Sequence, residues 1–254
     1  MSNNPVQSTA SGGAASQSTS QSFSYLHRDT GWAGFGLLPS AYEICSNCSP
    51  NGPQVSWSMT QGVNSPALSG NSSRFDIGGA THYADVLWNN HLIGDFSSQD
   101  LPDSGHTLVP TLHNFTYDVY FFGTNLQAAQ ALEFDVNQFL NNQGYIWGHE
   151  CRIAGGNEWD TWDNVNNQWI PTGVACNPKE NAWNHLTIQV QRTAENQLLF
   201  QSITLNGQTN SLNIARDPGS APNWYGITIN YQQDGNHTQQ AYSVWLDRLT
   251  FTYW

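Results

Sequence analysis

From Phe23 onward the chain alternates apolar and polar residues in short runs separated by Asn-, Asp- and Gly-rich steps. A period of two is the pattern of half-buried β-strands, and the steps carry the residues that tight turns need. Strands are predicted over 54–59, 73–78, 84–89, 115–122, 131–139, 145–152, 168–171, 185–192, 198–205, 225–231 and 243–253. Asn51-Gly52, Asn206-Gly207 and Asp234-Gly235 are turn signals. Helical periodicity is nearly absent, and 125–132 offers one short helical turn. So many strands at this spacing predict an all-β fold, a two-sheet antiparallel β-sandwich of jelly-roll type. No repeat of 20 to 50 residues is visible, which argues against a propeller or solenoid.

Residues 1–22 are a Ser/Thr/Gln/Gly-rich tract with almost nothing to bury, expected to form a disordered tail or linker ahead of one domain over 23–254. At 254 residues, a single large β-domain is the expected organisation.

The segment 131–152 carries most of the candidate chemistry. Leu132, Phe134 and Val136 alternate with Glu133, Asp135 and Asn137, giving one apolar and one polar face. Asn141-Asn142-Gln143-Gly144 then reads as a hairpin turn. A turn centred on Asn142-Gln143 sets Asp135 opposite Glu150, Glu133 opposite Arg152 and Asn137 opposite Gly148, so three carboxylates and a guanidinium share a face. Opposed residues have Cβ atoms roughly 4.5 to 5.5 Å apart, close enough for carboxylates to perturb each other's ionisation. A slip of one residue would send Glu150 to the apolar side.

Composition narrows the partners. Only 10% of residues are charged, Lys179 is the sole lysine and the net charge is −12. Phosphate backbones and anionic membranes are repelled, so no nucleic-acid partner is expected. No run of 18 apolar residues exists, so no membrane span is expected. The 11 Trp supply large flat rings, most of them core and three or four free to line a groove. Four cysteines pair most simply as Cys45 with Cys48 and Cys151 with Cys176, which fits an oxidising, secreted or extracellular setting, although the count alone leaves three connectivities open. No second CxxC or matched His pair follows Cys45 and Cys48 at zinc-ligand spacing.

Tyr117-Asp118-Val119-Tyr120, Ala131-Leu132-Glu133-Phe134-Asp135, Trp183-Asn184-His185-Leu186 and Val244-Trp245-Leu246-Asp247-Arg248-Leu249 together resemble the concanavalin A-like lectin and glucanase superfamily. The resemblance covers about 25–252 and implies two stacked sheets, one of which holds a sugar chain. Laminarinase-type glucanases carry Glu-x-Asp-x-Glu. Glu133 and Asp135 match the first two positions, but the third falls on Asn137 or Gln138, so the usual acid/base is missing. On this likeness the expected retaining chemistry has Glu133 as nucleophile, Asp135 assisting, Glu150 as acid/base from the next strand and Arg152 orienting Glu133. Legume-type lectins offer a rival match through Glu133, Asp135 and His149. Phe139 and Gly144 occupy two positions where oxygen ligands are needed, so no cofactor or metal is expected and a structural calcium lacks support. In the expected register His149 faces the core.

Trp159-Asp160-Thr161-Trp162-Asp163 pairs aromatic with acidic side chains, as sugar binding requires, and Trp88, Trp159 and Trp162 are the candidate stacking rings. Asp118 and Tyr120, on the strand before the hairpin, are expected to share its polar face. No Gly-x-Ser-x-Gly or HExxH occurs, which disfavours serine and zinc hydrolases. The leading expectation is a secreted, endo-acting glycoside hydrolase on a β-glucan-like polysaccharide. A non-catalytic lectin or carbohydrate-binding module, and a self-associating extracellular structural protein, are the competitors.

Overall fold

The computed structural model describes residues 19–24, 31–37, 56–78, 82–95, 101–238 and 240–254. It is a two-sheet antiparallel β-sandwich. One sheet runs β13 (Gln208–Arg216), β12 (Leu198–Leu205), β11 (Trp183–Arg192), β6 (Asn114–Thr124), β16 (Tyr242–Tyr253), β4 (Ser72–Gly78) and β3 (Ser56–Val63), with β1 (Gln21–Ser24) paired to β16. The other runs β10 (Gln168–Ala175), β9 (Glu158–Asp163), β8 (Gln143–Arg152), β7 (Ala129–Leu140), β15 (Gly226–Gly235), β5 (Asp85–Gly94) and β2 (Ala33–Leu37), with β14 (Gly219–Ser220) paired to β8. This is the architecture implied by the concanavalin A-like resemblance. Residues 1–18 of the expected tail lie outside the described residues, and β1 starts two residues before the expected domain boundary.

The alternation in each strand builds the core. Phe115, Tyr117, Val119 and Phe121 of β6 meet Leu132, Phe134 and Val136 of β7 between the sheets, all buried. Phe134 lies 5.5 Å from Phe121 and 6.2 Å from Tyr117, centroid to centroid. Each such side chain contributes about 1.5–3 kcal/mol by leaving water. Trp88 and Trp159, expected to stack on sugar, belong to this core: Trp88 is wholly buried against Phe75 and Tyr231, and Trp159 is 1% exposed. Each occupies an inward-facing phase of its strand, which local composition around a tryptophan does not reveal.

The chain crosses from one sheet to the other between β6 and β7. A 3-10 turn, Leu126–Ala128, follows Asn125 at φ 53°, and β7 begins at once. The expected helical turn is thus confined to its first residues. Asp118 and Tyr120 therefore stand on the outer face of the opposite sheet rather than beside the hairpin. There Asp118 accepts hydrogen bonds from His185 Nε2 at 2.9 Å and Thr187 Oγ1 at 2.5 Å, while Tyr120 stacks on His185 at 4.2 Å.

Cys151 and Cys176 form the expected disulfide, tying β8 to the segment after β10. Cys45 and Cys48 lie outside the described residues. No helix among the described residues is long and apolar enough to cross a membrane.

Candidate functional site

The β7–β8 hairpin turns on Asn141-Asn142, two residues with φ of 54° and 60°. Two consecutive left-handed residues are what a two-residue type I′ turn demands, and asparagine tolerates that region better than other residues with a side chain. Centring the turn one residue earlier than expected moves every pairing by two. Glu133 therefore faces Glu150, Asp135 faces Gly148, Asn137 faces Ile146 and Ala131 faces Arg152. A two-residue change preserves the faces, so Glu150 shares the surface of Glu133 and Asp135. His149 faces the core, wholly buried, with Nδ1 against the Trp147 carbonyl at 3.0 Å.

On the outer face of this sheet, cross-strand pairing sets polar side chains in rows. Gln232, Glu133, Glu150 and Asp160 stand level across β15, β7, β8 and β9. On one side lie Asp85 and Asp234, and on the other Asn89, Asn230, Asp135 and Gly148. An open cleft of about 710 Å³ runs over this floor, walled by Trp162 and Trp169 and bordered by Tyr83. The two indoles sit edge to face, 5.1 Å apart. Gly148 makes room for them, since a Cβ there would lie 2.9 Å from Trp162 Cβ and 3.0 Å from the Trp169 ring.

Gln232 Nε2 donates to Glu133 Oε1 at 2.6 Å and to Asp234 Oδ1 at 2.9 Å, bridging two acids. Asn230 Nδ2 donates to Asp135 Oδ2 at 3.3 Å. Arg152 does not orient Glu133. Its guanidinium is taken by Asp160 at 2.7 and 3.2 Å and by Glu158 at 3.1 Å, because its level partner on β7 is Ala131. Asn137 is on the correct face but buried, donating to Thr228 Oγ1 at 3.1 Å, beyond the cleft floor.

Crowding acids into a poorly hydrated floor favours their protonated forms. Burial, then the neighbouring Asp234 and Asp160, pushes Glu150 up to about 8, with Arg152 pulling the other way. Glu133 is raised well above the ordinary range by burial, Asp234 and Asp135. Burial takes Asp135 to about 7 and Asp234 to about 6, each held back by hydrogen bonds, and burial with Asp234 takes Asp85 to about 9.

The structure therefore brings Glu133, Asp135, Glu150 and Trp162 together, and adds Asp85, Trp169, Gln232 and Asp234, none of which the sequence analysis placed in the site. The alternation of Ile227, Ile229 and Tyr231 with Thr228, Asn230 and Gln232 in β15 is the available signal.

No family model matches the chain, and no curated protein matches it. Among solved structures, the chain is similar to peanut lectin (12% identity, 89% of this chain and 98% of that one, TM-score 0.42) and to the alginate lyase Aly36B (10%, 72% and 81%, 0.44). It is also similar to carbohydrate-binding modules of the β-sandwich superfamily (8% identity, TM-score 0.39), covering 86% of this chain but only 56% of that one.

Proposed function

We propose that the cleft binds an uncharged polysaccharide and hydrolyses it with retention of configuration, as an endo-acting enzyme of β-glucan type working outside the cell. The observation that carries this reading is the direct opposition of Glu133 and Glu150 on the cleft floor. Paired glutamates on adjacent strands suit the roughly 5 to 5.5 Å carboxyl separation of retaining glycosidases. The surrounding acids disfavour an anionic chain, while Trp162 and Trp169 offer flat faces for sugar rings. The Cys151–Cys176 bond supports an oxidising compartment.

The roles proposed are the opposite of those that the Glu-x-Asp likeness implies. The Arg152 guanidinium near Glu150 favours its ionised form, so Glu150 is the group that attacks the anomeric carbon. Glu133 keeps its proton, donates it to the departing glycosidic oxygen, and then takes a proton from the water that cleaves the glycosyl–Glu150 ester. The neighbouring Asp234 carboxyl favours the protonated form of Glu133.

Incubating the protein with uncharged β-glucans is expected to release reducing ends whose anomeric configuration, followed by NMR, matches the starting linkage; prolonged binding without turnover overturns the catalytic reading. Gly148→Ala is expected to displace the indole wall and raise KM several-fold, with kcat changing less, because the added methyl meets Trp162 and not the acids. Equal losses in kcat and kcat/KM would contradict that role for the wall.

A further inference from the structure

Trp224 is 53% exposed, the most exposed of the 11 tryptophans. Its perch is fixed rather than loose. The neighbouring Tyr225 stacks on His106 at 3.6 Å and donates its hydroxyl to Asp103. Asp103 in turn accepts from the backbone N–H groups of Thr107, Leu108 and Val109 at 2.9 to 3.0 Å. Asp95 N–H donates to the Tyr225 carbonyl at 3.3 Å, and the Gly94–Gly226 contact is too close for side chains, a Cβ on Gly94 falling 2.7 Å from Gly226 Cα. One ordered aromatic face is thus held in solvent by a built support.

Beneath it lies a second, smaller cleft of about 190 Å³, where Trp224 meets His91 (6.1 Å, nearly parallel) and Phe139 (5.5 Å), with Asp95, Asn223 and Thr228 at the rim. That volume is below the range for drug-sized ligands and suits a single ring. The rim offers carboxylate, amide and hydroxyl groups but no lysine or arginine, so an anionic ligand has no counter-charge there. A flat indole with hydrogen-bonding neighbours matches one pyranose, apolar C–H face on the ring and hydroxyls at the edge.

Phe139 is on the same face of β7 as Glu133 and six residues further along, about 20 Å at ~3.4 Å per residue. We infer that the Trp224 cleft is a second saccharide site, which grips an uncharged polysaccharide at a point about 20 Å from the Glu133–Glu150 pair. The inference rests on reading the main cleft as glycan-directed.

The test is a depletion isotherm of the full chain on an insoluble β-glucan, in a Glu150→Gln background so that the ligand persists. Trp224→Ala is expected to weaken retention about tenfold and Trp224→Phe to restore most of it, with unchanged near-ultraviolet circular dichroism. Retention that is absent altogether, or equal for all three proteins, overturns the inference, as does a concentration-dependent dimer abolished by Trp224→Ala. Trp224-dependent retention by a protein that releases no reducing ends would uphold this site and defeat only the catalytic reading.

Discussion

Glu133→Gln and Glu150→Gln are each expected to lower turnover of an uncharged β-glucan by about 10²–10⁴-fold, the range for removing one acid–base or nucleophilic group, while affinity for the polymer survives. Glutamine keeps the shape of either side chain and the oxygen that accepts from Gln232 at Glu133, so the loss reports chemistry and not packing. The two roles separate with azide. In Glu150→Ala the small anion occupies the vacated space and attacks the anomeric carbon directly, giving a glycosyl azide of inverted configuration. In Glu133→Ala it intercepts the glycosyl–Glu150 ester, giving a product of retained configuration from a substrate with a good leaving group. The reverse pair of products would hand the nucleophile's role to Glu133, and full activity in either glutamine variant would remove the pair from catalysis.

Thermal stability is expected to fall as pH rises from about 5 to about 9. Asp234, Asp135, Glu150 and Asp85 have folded-state values raised to about 6, 7, 8 and 9, whereas in the unfolded chain they return to the ordinary carboxylate range near 4. In that interval the native state binds more protons than the unfolded state, so unfolding free energy decreases with pH. The contribution is fully present below about 4 and is lost as pH passes through the folded values. The −12 net charge adds self-repulsion in the same direction. Scanning calorimetry should show Tm dropping by several degrees across the window, and Asp234→Asn should flatten the slope. A Tm constant or rising from pH 5 to 9 would show that these carboxyls are solvated and ionised in the folded protein.

Much of the sandwich is legible because strands such as β6 and β11 alternate strictly, announcing a buried and a more exposed face in the residues themselves. The strands that escaped have reasons. β13, Gln208–Arg216, is a polar edge strand with half its residues exposed, and β9 hid inside Trp159-Asp160-Thr161-Trp162-Asp163, whose alternation puts Trp159 and Thr161 inward and Asp160 and Trp162 outward. The carboxylate face of the hairpin is legible in its alternation, but its register is not, because Asn141-Asn142-Gln143-Gly144 offers two possible centres and only the left-handed dihedrals of the two adjacent asparagines select the first. Placing Asp118 and Tyr120 in the site requires successive strands to lie side by side. Nothing local to β6 says that the chain changes sheets at Leu126–Ala128. Asp85 and Asp234 could not be placed in the site from sequence, since only long-range pairing brings them to β7.

The cleft floor draws on β5, β7, β8, β9 and β15, so Asp85 and Asp234 meet across 149 positions of chain. Before β15 is made, β7 and β5 have no strand between them, and Glu133 and Asp85 lack Gln232 and Asp234 as neighbours. Insertion of that strand seats Gln232 beside Glu133, expels water and forces protons onto the carboxyls in one event. Acquisition of protons and acquisition of the native topology are therefore the same step, and a folding reaction followed at pH 8 should take up protons in the phase that docks β15.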